Sequence, residues 1–153
     1  MKRLLVVAHT PSPNLKRLCD ALVEGARDPL IENVESVQLA PLDAVTEDVL
    51  GADALVLMTP ENLGYMSGAL KDFFDRCFHD LLERTEAMPY ALLVRAGKDG
   101  TGTKRAVESI CGGLNWKPVQ PVLICRGEWQ AEFVDQAREL GTTMAAGLEA
   151  GIF

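Results

Sequence analysis

Three segments of the chain carry residue types suited to holding a ligand, and each directly follows a short apolar run. The first is His9-Thr10-Pro11-Ser12-Pro13-Asn14-Leu15, which feeds straight into a pattern of helical period. A helix start offers unpaired N–H groups and the positive end of the dipole, which suits a phosphate. Ser12 and Asn14 add side-chain donors, His9 adds another, and Lys16 and Arg17 fall in the first turn. Cations there oppose the helix dipole by about 0.3–1 kcal/mol each, a cost that a nearby anion would offset. The plainer alternative is that Ser12 or Asn14 only caps the helix after a proline-rich turn. The second segment opens as Thr59-Pro60-Glu61-Asn62-Leu63-Gly64-Tyr65 and continues to Arg76. The third is Ala96-Gly97-Lys98-Asp99-Gly100-Thr101-Gly102-Thr103-Lys104, whose three glycines let a backbone approach a flat ligand closely. A flexible turn without a ligand reads equally well from that loop alone.

Several other chemistries drop out. No G-x-G-x-x-G follows the first apolar run, whose loop has no glycine at all, so a dinucleotide fingerprint is absent. Gly102-Thr103-Lys104 reverses the Gly-Lys-Ser/Thr order of a nucleotide-triphosphate loop. The first and third runs end in Ala8-His9-Thr10 and Met58-Thr59-Pro60, without the acids that would cradle a metal. His9 and His79 are too isolated to complete a Ser-His-Asp or Cys-His arrangement. Cys19, Cys77, Cys111 and Cys125 form no C-x-x-C pair and sit in apolar patterns, so they read as buried free thiols rather than zinc ligands or disulfides. Glu61 reads as a proton donor or, more plainly, a solvated carboxylate. His79 reads as the ion-pair partner of Asp75 one turn earlier, and Trp116 and Trp129 as packing or interface residues.

The elements that must position these loops alternate along the chain. Strands are expected at 4–8, 34–39, 54–58, 90–95 and 119–125, three of them almost wholly apolar, as when both faces of a strand are covered. Between them lie stretches with apolar residues three and four apart. The first helix turns Leu15, Leu18, Cys19, Leu22 and Ala26 inward, and the third Met66, Leu70, Phe73, Phe74, Cys77 and Leu81. The third helix turns Lys71, Asp72, Asp75, Arg76, His79 and Glu83 toward water or another subunit. A short second helix is expected near 46–50, a fourth stops at Gly112-Gly113, and the last begins at about Glu128. Such alternation implies an α/β fold: a five-stranded parallel sheet with right-handed crossovers and helices on both faces. Strand order 2-1-3-4-5 is expected, although a Rossmann-like order is equally compatible with the pattern; either order puts ligands beyond the carboxyl ends of the strands, where the three loops lie.

At 153 residues the chain is expected to form one domain spanning 1–153. A net charge of −7 argues against nucleic acid and against an anionic membrane surface as partners. No apolar run approaches the roughly 20 residues of a membrane span, and the opening segment lacks the features of a signal peptide, so a cytoplasmic location is expected.

The second segment also resembles a known family. Pro60-Glu61, Gly68, Leu70-Lys71 and Asp75 fall on the Pro-Glu-Tyr-Asn and Leu-Lys-Asn-aromatic-Ile-Asp pattern of the flavodoxin-like NAD(P)H-dependent FMN reductase and quinone reductase superfamily, and Ser12-x-Asn14 resembles its phosphate loop. The resemblance implies a flavodoxin-like three-layer sandwich that binds FMN through His9, Thr10, Ser12, Asn14, Leu15, Pro60, Glu61, Asn62, Leu63, Gly64, Tyr65, Gly97, Gly100 and Thr101. It implies hydride transfer from NADH or NADPH through the flavin to a quinone, a nitro or azo compound, or free flavin, with no catalytic side chain. In such proteins the backbone of the second loop lies along the flavin ring, and the third contacts its pyrimidine edge. Two departures stand out: Asn62 or Leu63 replaces the usual ring-stacking aromatic, with Tyr65 its nearest substitute, and Pro11 and Pro13 remove two N–H donors. A flavodoxin-type electron carrier and a flavin-free interaction domain of the same fold are the alternatives. The Phe-rich third helix and exposed tryptophans favour a homodimer over a monomer.

Overall fold

The apolar runs become the central strands of a parallel sheet in the computed structural model, which describes residues Met1–Phe153. The strands are β1 (Lys2–Ala8), β2 (Val34–Leu39), β3 (Ala54–Asn62), the two-residue β4 (Tyr65–Met66), β5 (Pro89–Ala96), β6 (Lys117–Pro118) and β7 (Leu123–Arg126). The order is β2-β1-β3-β5, and both β6 and β7 pair in parallel with β5 at the far edge. With those two pieces counted as one fifth strand, this is the 2-1-3-4-5 order of the flavodoxin-like fold. Alternate residues serve opposite cores. Leu4, Val6, Val56, Met58 and Leu93 face α1 (Pro13–Ala26) and α5 (Glu132–Glu149), while Leu5, Val7, Leu55, Leu57 and Leu92 face α3 (Gly68–Leu81) and α4 (Thr101–Gly113). Burial on both faces explains why these strands read as unbroken apolar runs.

Helix ends follow local capping chemistry. Ser12 accepts a hydrogen bond from the Leu15 N–H at 3.3 Å, and Ser67 accepts one from the Leu70 N–H at 3.2 Å, starting α1 and α3. The short α2 (Thr46–Leu50) forms as expected, held by the Asp48 carboxylate accepting from the Val45 N–H at 2.8 Å. Helices α1 and α5 touch backbone to backbone: a Cβ on Gly25 would lie 2.0 Å from the Arg138 carbonyl oxygen, and one on Gly141 1.9 Å from that of Leu22. No helix is long and apolar enough to cross a membrane.

Several expectations need correction. The strand expected at 119–125 is broken: the Lys117 and Val119 N–H groups bond the Met88 and Tyr90 carbonyls, Pro121 lacks the N–H that would continue this ladder, and pairing resumes only over Leu123–Arg126. Met66 belongs to β4, not α3, which starts at Gly68 and ends at Leu81; Glu83 lies beyond it at φ 65°. The last helix begins at Glu132 instead of Glu128. Asp75 pairs with Lys71 at 2.6 Å, while His79 presents its ring to the edge of Phe78, so the expected Asp75–His79 pair is absent. Arg76 does not simply face water: it donates to the carbonyls of Pro41 and Ala44 at 2.7 and 2.9 Å, fastening the loop before α2. Trp116 is buried, with its indole N–H donated to Thr85 Oγ1 at 2.8 Å, and Trp129 is half-buried, so neither is an exposed interface residue. All four cysteines are free and buried.

Candidate functional site

The parallel register puts the ends of β1, β3 and β5 side by side, with Ala8 opposite Met58 and Pro60 opposite Arg95. The three loops therefore leave the same rim of the sheet. At the first, the His9 N–H is bound to the Met58 carbonyl at 3.1 Å, whereas Thr10, Ser12 and Asn14 spend their N–H groups on no protein acceptor. Pro11 and Pro13 offer none. His9 Nδ1 is buried without a hydrogen-bond partner, and burial lowers the histidine pKa below its usual 6.5, which favours the neutral ring. One loop thus carries a buried ring nitrogen left unpaired and three free amides. Leu15, by contrast, is a core residue whose N–H already serves the Ser12 cap, so its contribution is to anchor the loop.

The second loop is a β-hairpin. Asn62 pairs with Tyr65 across the two-residue turn Leu63-Gly64, with φ of 54° and 76°, the geometry of a type I′ turn. Leucine is an unusual choice for the first of those positions, and its side chain is fully exposed at the tip. Neither Leu63 nor Gly64 donates its N–H to the protein. Tyr65, 41% exposed, stands next to the tip. The base is stapled internally: Thr59 Oγ1 accepts from the Ser67 N–H at 3.0 Å and donates to the Pro60 carbonyl at 2.8 Å, with Thr59 and Ser67 both fully buried.

The third loop, from Gly97 to Gly100, likewise leaves its N–H groups without protein acceptors. Gly100 takes φ 81° with no room for a Cβ beside Ile124, while the Thr101 hydroxyl donates to the Asp99 carboxylate. The second and third loops meet. Thr103 Oγ1 donates to Glu61 Oε2 at 3.2 Å, and a Cβ on Gly102 would sit 2.5 Å from the Gly64 carbonyl oxygen. The structure thus joins the expected residues Pro60 to Tyr65 and Gly97 to Thr101 into one wall, with His9 to Asn14 on the neighbouring strand end. None of the four surface cavities is lined by these loops, so the rim is an open surface and not an enclosed pocket.

One cluster at this rim, of Arg17, Arg95, Trp129 and Phe133, escaped sequence reasoning, which placed Arg17 only in the first turn of α1 and Trp129 only as a packing or interface residue. The guanidinium carbons of Arg17 and Arg95 lie 5.1 and 5.9 Å from the Trp129 ring centre, and Arg95 also sits 5.2 Å from that of Phe133. Arg95 donates to the Ala96 and Cys125 carbonyls, and neither arginine pairs with a carboxylate. The cluster joins α1, β5 and the β7–α5 connection, which periodicity does not relate. Lys16, by contrast, is paired with Asp20 at 3.2 Å, which relieves its opposition to the helix dipole. Leu70, Lys71 and Asp75 hold α3 itself: Leu70 is core, and the two charged residues pair along the helix.

A doubly wound sheet with its free donors gathered at the carboxyl rim defines a flavodoxin-like α/β protein. The comparisons narrow that class: the NADPH-dependent FMN reductase family matches residues 6–130, and the chain belongs to this family. A curated flavodoxin from Aquifex aeolicus (strain VF5) is 35% identical over 111 residues, covering 72% of this chain and 58% of that protein, so the chain spans little more than half of the relative's length. Among solved structures, a flavodoxin from the domain Archaea superposes with a TM-score of 0.81 at 16% identity, covering 96% of this chain and 99% of that one. A flavodoxin, the WrbA-like protein from Agrobacterium tumefaciens, gives 0.74 at 18% identity, covering 99% of each chain. At these identities the two structures speak for the fold.

Proposed function

We propose that the chain is an FMN-dependent oxidoreductase that takes hydride from NADH or NADPH and passes it to a small acceptor: a quinone, a nitro or azo compound, or free flavin. The observation that carries this reading is the set of unspent backbone N–H groups at one rim, Thr10, Ser12 and Asn14 on the first loop, Leu63 and Gly64 on the second, and Gly97 to Gly100 on the third. Such donors fit a flat, phosphorylated ring system with polar edges, and the partnerless His9 Nδ1 fits a phosphate-side acceptor. Thr10, Ser12 and Asn14 would hold the phosphate, with the unpaired Arg17 adding favourable charge. The hairpin tip and the Gly97–Gly100 loop would line the ring. Bound FMN would supply the two-electron chemistry. The chain's contribution is a neutral wall of oriented amides that stabilises negative charge without a titrating side chain. Its open rim leaves space for donor and acceptor to alternate.

The test is reconstitution with FMN followed by stopped-flow oxidation of NADH and of NADPH. A loaded sample that oxidises neither nucleotide with any of the named acceptors overturns the proposal. A second reading, a one-electron carrier, is favoured by the 35% identity to a protein named flavodoxin. Widely separated first and second reduction potentials in a reductive titration support the carrier, whereas a single two-electron wave supports the reductase.

A further inference from the structure

The contact between the hairpin and α4 has two points of attachment, and both are unusual. At the base, Glu61 Oε2 accepts from Thr103 Oγ1 at 3.2 Å, and Thr103 is fully buried with no other hydrogen-bond partner for its hydroxyl. A buried hydroxyl without that acceptor would be orphaned. Near the tip, the Gly64 carbonyl oxygen lies where a Cβ on residue 102 would stand 2.5 Å away, so only glycine at 102 lets the hairpin sit this close. Thr101, Gly102 and Thr103 form the first turn of α4, whose N–H groups carry the positive end of the helix dipole.

We infer that Glu61 is a positioning residue: clasped by Thr103, it fixes the height of the β3–β4 hairpin on α4 and thereby sets where the Leu63 and Gly64 amides stand relative to the Gly97–Gly100 loop. The two ring-side loops then act as one rigid wall. The role of that wall toward a flavin rests on the function proposed above, but the clasp itself is a property of the chain alone.

The test compares Thr103→Val, Thr103→Ser, Glu61→Gln and the native chain by two readouts. The first is amide hydrogen exchange of Asn62 and Tyr65, the pair that closes the hairpin, measured by NMR without flavin. The second is FMN affinity by fluorescence titration. Loss of the hydroxyl in Thr103→Val should speed hairpin exchange and weaken FMN binding by roughly tenfold each, whereas Thr103→Ser and Glu61→Gln, which keep a donor and an acceptor, should stay within about threefold of native. Native exchange rates in Thr103→Val, with the fold intact by circular dichroism, overturn the inference. So does a Glu61→Gln protein with native exchange and native FMN affinity that has lost nucleotide oxidation, since that result makes Glu61 a proton donor. If the native chain binds no FMN, the proposed function fails while the exchange data still decide the clasp.

Discussion

Thr85 is a single hydroxyl on which two buried groups converge: it accepts from the Trp116 indole at 2.8 Å and donates to the Leu81 carbonyl at 3.0 Å. Thr85→Val keeps the shape and strands the indole N–H, which should cost about 1–3 kcal/mol, read as a lower urea midpoint at unchanged slope. His9 makes a pH-dependent contribution whose sign follows from its lowered pKa. The unfolded chain takes up this proton near pH 6.5 while the folded chain still resists it, so the unfolded state binds more protons in that interval. Stability is therefore full above pH 6.5 and falls as the pH drops from 6.5 toward the folded value. Melting temperatures between pH 7.5 and 5.5 should show this slope, and it should flatten in His9→Asn. At this scale the sequence exposed chemistry but not partners. Ser12 was readable as a cap or a donor and is a cap with its own N–H still free. Trp116 looked exposed because it sits in a short polar turn, and its partner Thr85 lies 31 residues away.

Among the elements, the α1–α5 contact is the least forgiving. A methyl at residue 141 would run into the Leu22 carbonyl, a backbone atom that moves only with its helix. Gly141→Ala should therefore lower stability by about 3 kcal/mol or more, the upper end of overpacking effects, whereas the same change at Gly112, on the exposed face of α4 with no neighbour within 4 Å, should raise helix propensity with little strain. Denaturant melts of the two variants check the contrast. Gly25 and Gly141 stand in the middle of helical patterns in the sequence, and close packing of α1 on α5 is their physical reason. The hairpin was not visible in the same way, because Leu63 at φ 54° defies the turn preferences that favour asparagine there. The five strands were legible from the apolar runs, but their order was not, because the same alternation of elements suits a Rossmann-like sheet and only the pairings of β1 and β3 settle it; the break in the last strand lies at Pro121. Contacts such as Glu61 to Thr103 join the end of β3 to the first turn of α4, 42 residues apart, and have no periodic signature.

Over the whole molecule, the two cores flanking the sheet leave the thiols inaccessible. Burial pushes the Cys19 and Cys125 pKa values up to about 11, so at pH 8 about one in a thousand of either is thiolate. An alkylating reagent at pH 8 should leave the native chain unmodified and label all four cysteines once urea is added, a count that intact-mass spectrometry reads directly. With Trp116 buried, the aromatic argument for self-association narrows to the half-buried Phe78 and Trp129. The divided strand at the far border has its own consequence for the molecule among its copies. An unbroken outer strand would offer a row of amides on which a neighbour could crystallise into a growing fibril. Here one imino acid, Pro118, stands inside a two-residue pairing and a second, Pro121, follows it, and the four residues of β7 beyond are too short a template for runaway polymerisation.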